Sequence, residues 1–135
     1  MKVETSDALA AADRAIAHAQ GNLSINIPDQ AARLAYYALF YAAQALIFER
    51  TGKTAKTHKG VHKEFHRLVK GDPSFPMSLA SQLSKGFRYK EIADYDTAAA
   101  TTITSIVAHD AILTAQRFVA AVRGALAEPP AAPSA

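Results

Sequence analysis

From Asp29 to Thr51 the chain is apolar on two helical faces at once, and this constrains the fold more than any other feature. Ala31, Leu34, Ala35, Ala38, Ala42, Ala45 and Leu46 mark one face. Tyr37, Phe40, Tyr41, Gln44 and Phe48 mark a second, also largely apolar. A helix apolar on two sides has to be covered on two sides, by other helices or by a second copy of the chain. The spacing therefore predicts a central helix. Pro28 suits its first turn, where the missing N–H is not needed, and Gly52 supplies the stop.

The flanking sequence offers the cover. Ser6 to Gln20 reads as a helix capped by Ser6 or Thr5, with Ala8, Ala11, Ala12, Ala15, Ile16 and Ala19 as its stripe and Gly21–Asn22 as its stop. Leu23, Ile25 and Ile27 alternate in the connector that follows, which is too short for a strand without a partner. Thr51 to Lys59 reads as a polar loop. Gly60 to Lys70 reads as a short helix turning Val61, Phe65, Leu68 and Val69 inward. After Gly71-Asp72-Pro73 and Pro76, with Phe75 placed to pack over the bundle, Ser78 to Asp94 is helical with Leu79, Leu83, Phe87 and Ile92 inward. Thr97 is positioned to cap a last helix, Ala98 to Leu126, with Ile103, Ile106, Val107, Asp110, Leu113, Ala115, Phe118, Val119 and Val122 in helical period. The expectation is an all-α, antiparallel up-and-down bundle of four to five helices over residues 1–127, followed by a mobile Pro/Ala-rich tail at 128–135.

Composition narrows the chemistry. Alanine dominates the apolar half of the chain, favouring helices that approach closely. The absence of cysteine excludes a disulfide framework, a thiolate nucleophile and Cys-ligated metals. The N-terminus has acids and a helical period where a signal peptide needs a plain apolar core, and no run of about 18 uncharged apolar residues appears. The expectation is a cytoplasmic protein without a membrane span. There is no G-x-S-x-G, no H-E-x-x-H and no glycine-rich strand-to-helix turn, and Gly52-Lys53-Thr54 lacks the spacing of a phosphate loop.

Charge is unevenly spread. Between Arg50 and Lys90 stand ten bases and only two acids, Glu64 and Asp72, whereas the rest of the chain is acidic. Such a middle attracts phosphates. It reads equally well as a solvated lysine-rich face. His58, His62 and His66, spaced by four, would share a helix face and two could chelate zinc. No carboxylate set completes such a site, so the reading is surface or half-buried histidines with no metal or cofactor. In the Arg88 to Asp96 stretch, Arg88 is suited to clamp a phosphate and Tyr95 to stack on a base. The structural alternative pairs Asp94 and Asp96 with Lys90 or Arg88. The aromatic run Tyr36, Tyr37, Phe40, Tyr41 reads as core or subunit interface, its buried hydroxyls partnered by Arg or Asp from the fourth helix.

The run from Ala35 to Leu46, the Gly52 that follows, the Thr57-His58-Lys59-Gly60-Val61 turn with Phe65, and the Arg88…Ala93-Asp94-Tyr95 ending together resemble small prokaryotic HEPN proteins, in order and spacing, from about Asp7 to Val122. The resemblance implies a helical bundle that dimerises, often encoded beside a minimal nucleotidyltransferase in a toxin–antitoxin pair. It also implies, for active members, a metal-independent ribonuclease with an R-x4-6-H motif in which arginine steadies the phosphate and histidine moves the proton of the 2′-hydroxyl. Arg88 matches the arginine, but Asp94 stands where the histidine falls. An aspartate of ordinary pKa is ionised at neutral pH and is a poor general acid, though it can act as a base. Either ribonuclease activity is lost, or His58 substitutes in space. The leading expectation is a homodimer that binds RNA or a nucleotide and works with a nucleotidyltransferase partner. In it Arg88 contacts phosphate, Asp94 and Tyr95 complete the pocket, and His58 with Lys56, Lys59 and Lys90 lines the rim. The alternatives are an endoribonuclease with a divergent R-x5-D site and a non-catalytic interaction module.

Overall fold

A computed structural model describes residues 1–76, 78–97 and 102–127. Five helices form it: α1 (Val3–Ser24), α2 (Pro28–Thr51), α3 (His58–Lys70), α4 (Ser78–Tyr95) and α5 (Ser105–Ala127). The protein is an all-α bundle, and among the described residues there is no strand. α2 is the centre: it packs against each of the other four helices.

The small residues on α2 explain how one helix can carry four neighbours. Ala31, Ala32, Ala35, Ala38, Ala42, Ala43 and Ala45 are all buried, so neighbouring backbones can approach closely. α2 is by length and hydropathy apolar enough to cross a bilayer, but two-thirds of its most apolar window is covered by the other helices, as befits a core helix. Its second face is shielded less completely. Tyr37, Tyr41, Gln44 and Phe48 are half-buried, with the Lys2 ammonium 5.9 Å from the Phe48 ring.

Helix ends depart from the sequence reading where tertiary packing overrides local signals. α1 runs through Gly21 and Asn22 to Ser24 and begins at Val3 with no side-chain cap, so neither Ser6 nor Thr5 starts it. The reversal comes instead at Asn26, which takes a positive φ of 63°. Asparagine tolerates that left-handed conformation better than most residues. Gly52 ends α2 as expected, in the left-handed region at φ 71°. α3 starts at His58 rather than Gly60, because the Thr57 hydroxyl accepts a hydrogen bond from the Gly60 N–H. α5 starts at Ser105. Thr104, whose hydroxyl accepts from the Val107 N–H, does the capping assigned to Thr97. Ile106 consequently lies on the outer face, 76% exposed, rather than inward. Part of the expected start of the last helix, 98–101, and the expected tail, 128–135, lie outside the described residues.

Polar ties and a buried aromatic contact join the outer helices to one another and to α2. The Arg123 guanidinium donates to both carboxylate oxygens of Asp13, at 2.8 and 2.5 Å, joining α5 to α1 and holding the Asp13 carboxyl below its ordinary pKa. Arg50 donates to the Ala125 carbonyl at the end of α5. Phe65 of α3 stacks 5.1 Å from Phe118 of α5 and 6.3 Å from Phe75, which packs over the bundle as its sequence position suggested.

α4 crosses α2 at Gly86, where an added Cβ would lie 3.0 Å from Leu39 Cδ1 and 3.1 Å from Tyr36 Cδ1. Alanine there gains about 1 kcal/mol of helix propensity. The clash costs about 1–3 kcal/mol, because the Tyr36 ring is pinned by its hydroxyl and cannot yield. Gly86→Ala is therefore expected to destabilise, by about 1 kcal/mol, in chemical denaturation. A variant as stable as the parent would mean that Leu39 and Tyr36 move freely.

Candidate functional site

A polar cluster forms where α2, the first turns of α3 and the second half of α4 meet. Tyr36 is 1% exposed, and its hydroxyl lies 2.7 Å from His58 Nδ1 and 2.9 Å from His62 Nε2. The four-residue spacing does stack these two imidazoles on one face of α3, but they converge on a phenol. His66 points to solvent, and among the described residues no group of three or more His, Cys, Asp or Glu is placed to hold a metal. The Tyr36 hydroxyl thus finds its partners on α3, not in an Arg or Asp of α4. Aromatic rings enclose the cluster: Phe40 lies 4.6 Å and Phe87 5.3 Å from the His58 ring, and Phe87 meets His62 edge-on at 5.6 Å.

Burial sets the charge state of this cluster. It lowers the pKa of both imidazoles below 6.5, helped at His58 by the Lys90 ammonium against an opposing pull from Glu91, and at His62 by His58. Both rings are therefore neutral at neutral pH. Burial also raises the Tyr36 phenol above its ordinary value, so it remains a hydroxyl.

A second layer lies beside the first. Asp94 accepts from Arg33 Nε at 2.6 Å and from the Lys90 ammonium at 3.0 Å. Burial pushes the Asp94 carboxyl up, but these two hydrogen bonds outweigh it and keep the pKa below the ordinary value. Lys90, 9% exposed, is raised in turn by its bond to Asp94. Its ammonium also lies 5.7 Å from the Phe87 ring and 5.6 Å from that of Tyr95, and the Arg33 guanidinium stacks 5.1 Å from Tyr37.

Arg88 does not join Asp94. Six residues on a helix turn the two side chains well apart. Asp94 faces α2, whereas exposed Arg88 lines a shallow groove with Glu91, Ile92, Tyr95, Asp96 and Thr97. Tyr95, 74% exposed, belongs to both the groove and the Lys90 cluster. Lys56 and Lys59 are exposed in the loop and first turn that carry His58. The expected pocket of Arg88, Asp94 and Tyr95 is thus divided, with the aspartate turned toward α2 in a partly exposed ion pair with Arg33 and Lys90. Arg33, Tyr36 and His62 are the participants that sequence reasoning missed. Arg33 stands four residues before Tyr37, a spacing at which a cation can lie over a ring, and this was the available signal.

Comparison with known proteins agrees with this architecture. The crystal structure of TT1696 from Thermus thermophilus superposes with a TM-score of 0.76 at 25% sequence identity, covering 91% of this chain and 98% of that one. No curated protein matches the sequence. The model of the HEPN domain matches residues 5–125, nearly the whole bundle, and the chain belongs to the HEPN domain family.

Proposed function

We propose that this HEPN protein binds RNA or a nucleotide through phosphate contacts on the surface shared by α4 and the start of α3, and that binding rather than cleavage is its role. The observation that carries this reading is the state of Asp94. Its carboxylate is bound on both oxygens by Arg33 and Lys90, so it neither repels a phosphate strongly nor stands free to accept a proton. Exposed Arg88, Lys56 and Lys59 then present cations without a competing free acid at position 94. Tyr95, largely exposed, offers a ring for a base to stack on. The family resemblance supports the remaining parts of the proposal: a cytoplasmic homodimer paired with a nucleotidyltransferase-type protein, in a toxin–antitoxin-like arrangement.

A second reading, a metal-independent endoribonuclease, draws on one specific feature. His58 is neutral at working pH and held in a fixed orientation by Tyr36, as a general base requires. Incubating the protein with mixed single-stranded RNA, with and without chelator, separates the two. The expected result is no cleavage, with RNA retention that falls steeply as salt rises. In Arg88→Ala the slope of log K against log salt is expected to shrink by about 0.7, the share of one phosphate contact on a single strand. Chelator-insensitive cleavage abolished by His58→Ala would replace the binding role with the enzymatic one.

A further inference from the structure

α4 and α5 both lean on α2 but scarcely touch each other, and this leaves a cleft of about 160 Å³ between them. A space of that size takes a single ring or a short branched chain, since an engineered cavity of about 150 Å³ admits benzene. The cleft lies apart from the Arg88 groove and shares only Tyr36 with the histidine cluster. Its floor is Ala32 and Ala35 of α2, and the Tyr36 ring forms part of its wall.

Polar and charged residues surround this apolar floor, Tyr89 and Thr114 among them. Lys85 on α4 and Asp110 on α5 put opposite charges on the two walls, and neither is in an ion pair among the described residues. Gln82 lines the α4 wall beside Lys85.

We propose that this cleft binds a compact zwitterion with an aliphatic end, an α-amino acid of the leucine type. The ammonium group answers Asp110, the carboxylate answers Lys85, and the branched chain covers the alanine floor. A ligand with one charge leaves one wall unanswered. This inference does not depend on the proposal that the protein binds RNA.

The test is a titration of ¹⁵N-labelled protein with L-leucine, followed by amide chemical shifts. Isovalerate supplies the carboxylate alone and isoamylamine the ammonium alone. Saturable shifts at Ala35, Gln82 and Asp110 are expected with leucine, and at least about tenfold weaker binding with either single-charge analogue. Asp110→Asn and Lys85→Met are each expected to weaken leucine about tenfold. Both positions are exposed, so the amide spectrum away from the cleft should be unchanged and confirm that the variants fold. Absence of saturable shifts in the cleft at tens of millimolar leucine overturns the proposal. Equal binding by isovalerate or isoamylamine overturns it as well.

Discussion

Replacing Phe118 by alanine is expected to lower the free energy of unfolding by about 3–5 kcal/mol. Phe118 is fully buried on α5 and faces the equally buried Phe65 of α3, whose ring also lies 6.3 Å from that of Phe75. The lost side chain therefore removes the contact through which α5 and α3 recognise each other, and leaves a cavity among rigid rings that cannot collapse into it. Against a typical total of about 5–15 kcal/mol for a domain, that loss moves the denaturation midpoint far. Ile106→Ala is the control. It removes an aliphatic side chain from the same helix at a 76% exposed position, and should change stability by no more than about 0.5 kcal/mol. Similar losses for the two would mean that α5 is not seated on the Phe65 stack.

Tyr36→Phe should cost about 1–3 kcal/mol, because it strands a ring nitrogen of both His58 and His62 in an enclosure of aromatic rings while leaving the packing nearly intact. The same cluster makes the parent protein acid-sensitive. His58 and His62 have folded pKa values below the unfolded 6.5, so the folded state binds fewer protons than the unfolded state. Their contribution is fully present above pH 6.5 and is lost as pH falls from there through the lower folded values. Asp13 and Asp94, held below 3.8, add their own losses only at more acid pH, so the two windows are separate. Denaturation midpoints measured from neutral pH down to about pH 5 should fall in the parent and flatten in a His58→Gln/His62→Gln double variant. A parent whose midpoint holds constant over that range would show the imidazoles to be freely solvated.

The architecture was readable because its signals are repetitive and redundant. α2 announces itself through Pro28, Gly52 and a two-sided apolar pattern, and the Phe65 and Phe118 periodicities point inward on α3 and α5 as the structure has them. Where a boundary rested on one local signal it moved. Gly21 and Asn22 did not stop α1, because buried Ala19 and half-buried Leu23 carry its packing face past them. The candidate site was legible residue by residue but not as an arrangement. Sequence places Arg88, Lys90, Asp94 and Tyr95 on one helix. Which of them meet depends on Arg33 reaching Asp94 from 61 residues away and on Tyr36 drawing in two histidines. Such partners are chosen by how helices cross, and no short-range pattern encodes that.

The Tyr36 hydroxyl has a single hydrogen to give, and two imidazoles compete for it. If it donates to His58 Nδ1, that ring must carry its own proton on Nε2, and His62 must present Nε2–H to the phenol oxygen. If it donates to His62 Nε2, His58 holds its proton on Nδ1 and its Nε2 is bare. The two rings therefore change tautomer in step, coupled through one oxygen. The outer nitrogen of His58 alternates between hydrogen-bond donor and acceptor while the net charge of the cluster stays at zero.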